Sequence, residues 1–409
     1  MLPRPTSHRS GCILYFFLFM AHGCIAPFMP LVWRSKGLSE HQVGLLGAIR
    51  PVASFFFTPV LCAFADRHGM QQEILYGVMS LYAVFRPSVL VAGGVLAVGA
   101  VEAVCSVSIS PIGSLVDSAV RHTFGGEGFG IQRLWGAVGF GVASLISGYL
   151  CDATGGNYEN VMLFFVAVMA VALVASRGVP VGRSLRPQNC KASRSSGRLT
   201  MGDGDCVTRE TETAETRRAG HDGDDASHTV VVLAAASADC GVNGLAEELV
   251  NAGPRSSDGP ELLKTSKHES HEEEKDNVWT VVCIMLDTPY KASFFAAVGL
   301  SGMGAGVIDT FLFIRLEELG GSHVLCGLAR LVMCLAEVPF FYLSGALVKR
   351  MGVRGVIALA QLAYLTRFIY YSVLQEPWWV LPVEVLHGLT FAAMWAATTD
   401  YAHEISPGA

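Results

Sequence analysis

Charge is what this chain has least of. Asp, Glu, Lys and Arg make up 16% of its 409 residues, against 51% hydrophobic residues and a mean hydropathy of +0.43, a balance that excludes an ordinary soluble domain. The charge that exists is concentrated: residues 178–288 hold 12 Lys/Arg and 19 Asp/Glu, leaving 17 and 16 for everything else. The acidic pI of about 6.1 therefore belongs to that segment and implies no nucleic-acid or basic partner. Eleven cysteines never form a CxxC pair, which excludes the usual redox and zinc spacings and leaves reduced, buried thiols. The run Gly302-Met303-Gly304-Ala305-Gly306 lies in an apolar stretch with no strand before it, so it reads as close helix packing and not as a phosphate loop. His268, His271 and Glu272 to Glu274 read as a solvated charge run in preference to a metal site. No hydrolase, kinase or redox site is recognisable, and neither an enzyme, a metal nor a cofactor is expected.

Apolar runs fill the rest. Ten segments of about 20 residues are long enough to cross a bilayer, near 12–33, 41–65, 73–91, 94–118, 132–152, 160–177, 290–314, 324–347, 354–373 and 379–401. The first is longer than a signal-peptide core, and Ala21-His22-Gly23 is a poor cleavage site, so it is read as retained. Two stretches share their punctuation: Gly37, Ser39, Gly44 and Gly69 return 283 positions later as Gly320, Ser322, Gly327 and Gly352. The chain is thus a duplicated half, a common construction of secondary transporters. The expected fold is an all-α polytopic membrane bundle: residues 1–177 as a six-helix half, 178–288 as a disordered acidic linker, 289–409 as a four-span half. Within the linker, Thr229 to Ala238 is apolar but too short to span.

Arg4, Arg9, Arg67, Arg121, Arg177, Arg183, Arg186, Lys349, Arg350 and Arg354 fall on one side of that topology, and only Arg34, Lys36 and Arg315 on the other. The bias places the N-terminus and the linker in the cytoplasm, with Trp378 and Trp379 as anchors at the outer interface.

Ionisable groups inside the spans are the candidate functional residues, since each costs at least about 2.5 kcal/mol to insert. They are Arg50, Arg86, Glu102, Asp309, Glu337, Arg367 and Glu384, with His387 beside them. Three Arg against four acids fits a network of structural ion pairs as well as a solute or proton pathway. Glu384 and His387 are three residues apart, on one face of a regular helix, and can pass a proton or simply pack as a hydrogen-bonded pair. Arg50 can hold an anionic solute or pair with Glu337, and Asp309 lies near the outer end of its span, where it can be a hydrated cap.

Pro27-Phe28-Met29-Pro30-Leu31, Gly37-Leu38-Ser39 and the run from Gln42 to Pro51 resemble the major facilitator superfamily branch of the domain-containing protein 6 type, related to sugar and phenylpropionate permeases. Gln132-Arg133-Leu134-Trp135-Gly136, Phe311-Leu312-Phe313 with Leu319-Gly320-Gly321-Ser322, and the run from Glu384 to Phe391 are similar to the same branch. The resemblance implies twelve spans, of which ten are present, and transport of a small solute by alternating access with protons as possible partners; a non-transporting receptor or scaffold is the alternative. It implies that the third and ninth spans lie outside a central cavity, so Arg86 and Arg367 look structural, whereas Glu102 and Glu384, 282 positions apart, face inward. It also implies cytoplasmic gate turns at Asp66, Arg67 and Gly69 and at Gly345, Lys349, Arg350 and Gly352. These depart from the family pattern: Cys62 stands for a Gly, Met70-Gln71 for a basic pair, and Lys349 for an acid. The fifth span lacks the Gly-Pro element that the resemblance associates with antiporters, which favours symport or uniport.

Overall fold

The computed structural model describes residues 8–124, 129–179 and 288–405, so the expectations for the linker fall outside the described residues. All regular structure within these residues is helical. In chain order it comprises α1 (His8–Ile25), α2 (Met29–Ser35), α3 (Glu40–His68), α4 (Gln71–Phe85), α5 (Gly94–Phe124), α6 (Phe129–Ala153), α7 (Glu159–Ala175), α8 (Pro289–Glu318), α9 (His323–Val373), α10 (Val380–Glu384) and α11 (Met394–Ile405).

Eight of the described helical stretches are long and apolar enough to cross a membrane, against the ten spans read from the sequence. The difference has two causes. Proline lacks the N–H a helix needs and fixes its own φ, and Pro87 converts the end of the third span into a 3-10 turn, Arg86–Leu90, which leaves α4 only 15 residues long. α9 runs for 51 residues because its helix resumes at once after Gly352, whose φ of 70° and ψ of 165° break the helix there.

The duplication is visible in the backbone. Gly37 and Gly320 have φ of 77° and 81°, and Gly69 and Gly352 have 64° and 70°, so both copies turn where only glycine is at ease. Ser39 and Ser322 each cap the helix that follows, accepting from Gln42 N and Leu325 N.

Small residues set the packing between helices, as they must where lipid removes most of the hydrophobic drive to associate. α1 packs along α6 and α7, and α6 turns another face to α9 of the second half. Gly23 lies against the backbone of Phe140, and Gly139 against that of Phe16. Across the halves, Gly148 meets the backbone of His323 and Val324, and Gly327 that of Ser144 and Leu145. Leu14, Tyr15, Leu18, Ala21, Cys24 and Ile25 are fully buried, so α1 is an integral part of the core. Gly304 within the glycine run packs on Tyr364, 3.0 Å from where its Cβ would stand, whereas Gly306 faces open space.

Candidate translocation site

A belt of buried charge runs through both halves, and the repeat builds its principal ion pair twice. In the first half the turn after α4 carries Arg86, whose Nη1 donates to both oxygens of Glu102 on α5 at 2.9 and 2.8 Å. Trp33 Nε1 on α2 adds a third bond to Glu102 at 3.1 Å. In the second half Arg367 on α9 donates from Nη2 to Glu384 at 2.6 Å, and the Tyr371 hydroxyl donates to the other Glu384 oxygen at 2.7 Å. Arg86 and Arg367 are 281 positions apart and their acids 282, so the same clamp recurs at the same place in each half. In both clamps the acid receives a guanidinium and an aromatic donor. Burial makes this arrangement necessary, because a carboxylate out of water without partners is strongly unfavourable.

The second clamp is larger. Arg367 also donates to the Thr390 hydroxyl at 3.0 Å and to Nδ1 of His387 at 3.3 Å. Nε2 of His387 lies 3.3 Å from Glu337 on α9, which is 1% exposed. A guanidinium has no acceptor, so Nδ1 must supply the lone pair and the ring proton belongs on Nε2, toward Glu337. Glu384 and His387 therefore meet on one arginine, but not through a regular α-helix. α10 ends at Glu384, a bend follows, and Gly388–Ala393 is a π-helical turn before α11. Gly388 presses on the Ala336 carbonyl and the Phe340 ring, which leaves no room for a Cβ. Such π-turns are rare and are found frequently at functional sites.

Arg50 on α3 donates to Nε2 of His22 on α1 at 2.6 Å, a histidine absent from the candidates read from the sequence. Asp309 on α8 accepts from Arg330 on α9 at 2.8 Å, and its own side chain is 56% exposed although it lies nine residues before the end of the helix at Glu318. Asp117, half-buried on α5, joins Tyr15 on α1 at 2.7 Å and Arg133 on α6 at 2.6 Å. His22, Asp117, Arg133 and Arg330 went unrecognised as parts of these clusters. The repeat offset was the available signal for the paired arginines; for His22 and Arg330 only tertiary contact reveals the role.

The two ends of the bundle differ. At the end holding Arg34 and Glu318 the halves are joined by an ion pair of 2.7 Å between those residues, by Phe28 against Phe313 with ring centroids 5.4 Å apart, and by Asp152 of α6 against the start of α9. At the other end lie the turns read as gates: Asp66, Arg67, Gly69, Lys349 and Arg350 are exposed, and Asp66 accepts from Gln71 at 3.0 Å within its own half. Gly345 sits inside α9, and Gly352 forms its break.

Two pseudo-repeated helical halves, glycine seams between them and a buried ionic belt are the construction of a membrane transporter. The MFS_1 like family model matches residues 9–409, and the chain belongs to that family, within the major facilitator superfamily. A maltose permease of Geobacillus stearothermophilus is 21% identical over 97% of this chain and 78% of its own length. Major facilitator superfamily domain-containing protein 6-like protein B of Xenopus laevis is 26% identical over 108 residues, which are 26% of this chain and 18% of that protein. The chain's match thus spans less than a fifth of that relative. Among solved structures, a mutant of the nucleoside transporter NupG superposes with a TM-score of 0.64 at 13% identity, covering 96% of this chain and 82% of that one. A bacterial homolog of the human lysosomal transporter Spinster, in an inward-facing and unoccupied conformation, gives 0.54 at 13% identity over 97% and 78%.

Proposed function

We propose that this chain forms the body of a secondary transporter that moves a small hydroxylated solute by alternating access, coupled to protons through Glu384 and His387. One observation carries the coupling: both residues engage the same buried guanidinium, Arg367, at a break in their helix. A carboxylate clamped by arginine can give up that partner only if something else neutralises it, and a proton is the simplest replacement. The solute class follows from what the relatives are named for, a maltose permease and a nucleoside transporter. Arg50 and His22 offer a further polar contact for it. Joined halves at one end and exposed gate turns at the other support a rocking of the halves.

Uptake of labelled maltose and of a labelled nucleoside, with and without an imposed proton gradient, tests the reading. Glu384→Gln should abolish gradient-driven accumulation while exchange survives, and His387→Asn should flatten the pH profile. Loss of coupling in Glu102→Gln but in neither of these would move the proton site to the first half. Unchanged transport in all three variants would leave the belt a purely structural network. Absence of uptake of any solute favours the receptor or scaffold alternative.

The orientation, N-terminus and linker inside, rests on the basic-residue bias. A membrane-impermeant thiol reagent applied to intact cells should label a cysteine replacing Glu318 and spare one placed in residues 190–280. The opposite pattern overturns it.

A further inference from the structure

The start of α9 is closed only in part by its own sequence, whereas its repeat equivalent α3 has a full reciprocal capping box. A helix exposes its first backbone N–H groups, and these need acceptors. In α3 a reciprocal capping box closes the first turn from within, leaving the Glu40 and His41 amides outside it: Ser39 Oγ accepts from Gln42 N at 3.4 Å, while Gln42 Oε1 accepts from Ser39 N at 3.0 Å. At the position equivalent to Gln42 the second copy has Leu325, which cannot reach back. Ser322 serves Leu325 N at 3.2 Å, and the earlier donors turn to the other half of the molecule. Asp152, at the end of α6, accepts from His323 N at 3.0 Å and from Val324 N at 2.9 Å. The same carboxylate accepts from Nδ1 of His323 at 2.7 Å, and the Tyr158 hydroxyl holds the other ring nitrogen at 3.2 Å. Burial, with Cys151 and Glu317 alongside, pushes the Tyr158 phenol well above its ordinary range, so it stays a neutral hydroxyl.

We propose that Asp152 is a latch between the halves: it holds the first two amides of α9 only while this end of the bundle is closed, and opening this end leaves the helix with the Ser322 cap alone. The contrast in capping gives the latch its direction. Separation of the halves leaves α3 capped as before, but strips α9 of three bonds to one carboxylate. The neighbouring pair Arg34–Glu318 is about a third exposed on both sides; such a pair contributes little, so the latch resides in Asp152. The inference rests on the alternating-access reading, and its test needs no transported solute.

The half-buried Thr310 of α8 faces Gly47 of α3 at the same end, with its Oγ1 2.8 Å from where a Gly47 Cβ would stand. Ala137 is buried in a cluster with Phe341 and Ala392, 15 residues before Asp152 and so about 22 Å along α6. Thr310→Cys and Ala137→Cys are made separately in the full chain, with the parent chain as the blank for native cysteines, and thiol labelling is timed in membranes. Asp152→Ala is expected to speed labelling at position 310 about tenfold, as loss of a cap would, with position 137 unchanged. His323→Ala, which keeps both backbone bonds, should speed it only two- to threefold, on the order of one lost side-chain bond. Faster labelling at both positions means general loosening, and no change at either means Asp152 holds nothing closed; each overturns the proposal. Faster labelling at position 310 alone in a chain that moves no solute would leave the latch standing and sink the transport reading.

Discussion

Arg367→Leu is expected to lower stability by about 3–5 kcal/mol, enough to prevent recovery of folded protein from detergent, because it strands the fully buried Glu384 carboxylate. The double variant Arg367→Leu/Glu384→Leu should recover most of that loss, since replacing both members of a buried pair by apolar groups removes the desolvation penalty together with the attraction. The repeat predicts the same pattern at Arg86 and Glu102, whose side chains are 5% and 7% exposed. Thermal denaturation of the single and double variants in one detergent is the measurement. If the double variant is no more stable than the single, the clamp is more than a charge pair, and the bonds from Arg367 to Thr390 and His387 are the next contacts to remove.

Gly148→Val and Gly327→Val are expected to be the most damaging substitutions at the seam between the halves. In each case the new Cβ would land on backbone of the other half, His323 for Gly148 and Ser144 for Gly327, and backbone cannot move aside as a flexible side chain can. The two variants should insert in the membrane, since valine is more apolar than glycine, yet lose the close contact of α6 with α9. A cysteine replacing Gly141, whose Cβ would stand 3.3 Å from that of the native Cys334 on α9, would report that contact by cross-linking: efficient in the parent chain, reduced at least about tenfold in either variant if the overlap costs more than about 1.4 kcal/mol. Gly306→Val serves as the control, because nothing lies within 4 Å of a Cβ there. Equal cross-linking in all three variants would mean that the seam accommodates the added side chains without separating.

Much of the architecture was legible before any coordinates. Long apolar runs can bury their backbone polar groups only as helices in lipid, so the all-α class followed from composition and run length. The 283-residue echo set the duplication, and it reappears as matched left-handed glycines. Segment ends were less legible, because the effect of Pro87 on the end of α4 and the direct continuation of helix after Gly352 depend on packing as well as on sequence. The glycine run of α8 shows the same limit: Gly304 touches Tyr364, while Gly306 touches nothing.

The candidate residues divide in a similar way. That Glu102 and Glu384 are equivalent could be read from their spacing, and so could the near balance of Arg and acids within the spans. Which Arg meets which acid could not, because a helical sequence fixes only its own neighbours at three and four positions, whereas the clamps join residues 16 and 17 apart on different helices. Glu384 and His387 were brought together by proximity in sequence, but their shared partner Arg367 and the π-turn after them belong to the packing of Gly388 on α9. His22 beside Arg50 and Arg330 beside Asp309 exist only because helices within one half pack together, and Asp152 on the first turn of α9 only because the two halves face each other. The sequence by itself determined the medium, the helices and their doubling, since these depend on local hydropathy and on glycine's freedom at φ > 0. Tertiary structure alone decided the pairing of the charges and the closure of one end, because a buried charge takes as its partner whatever the fold places within 3 Å.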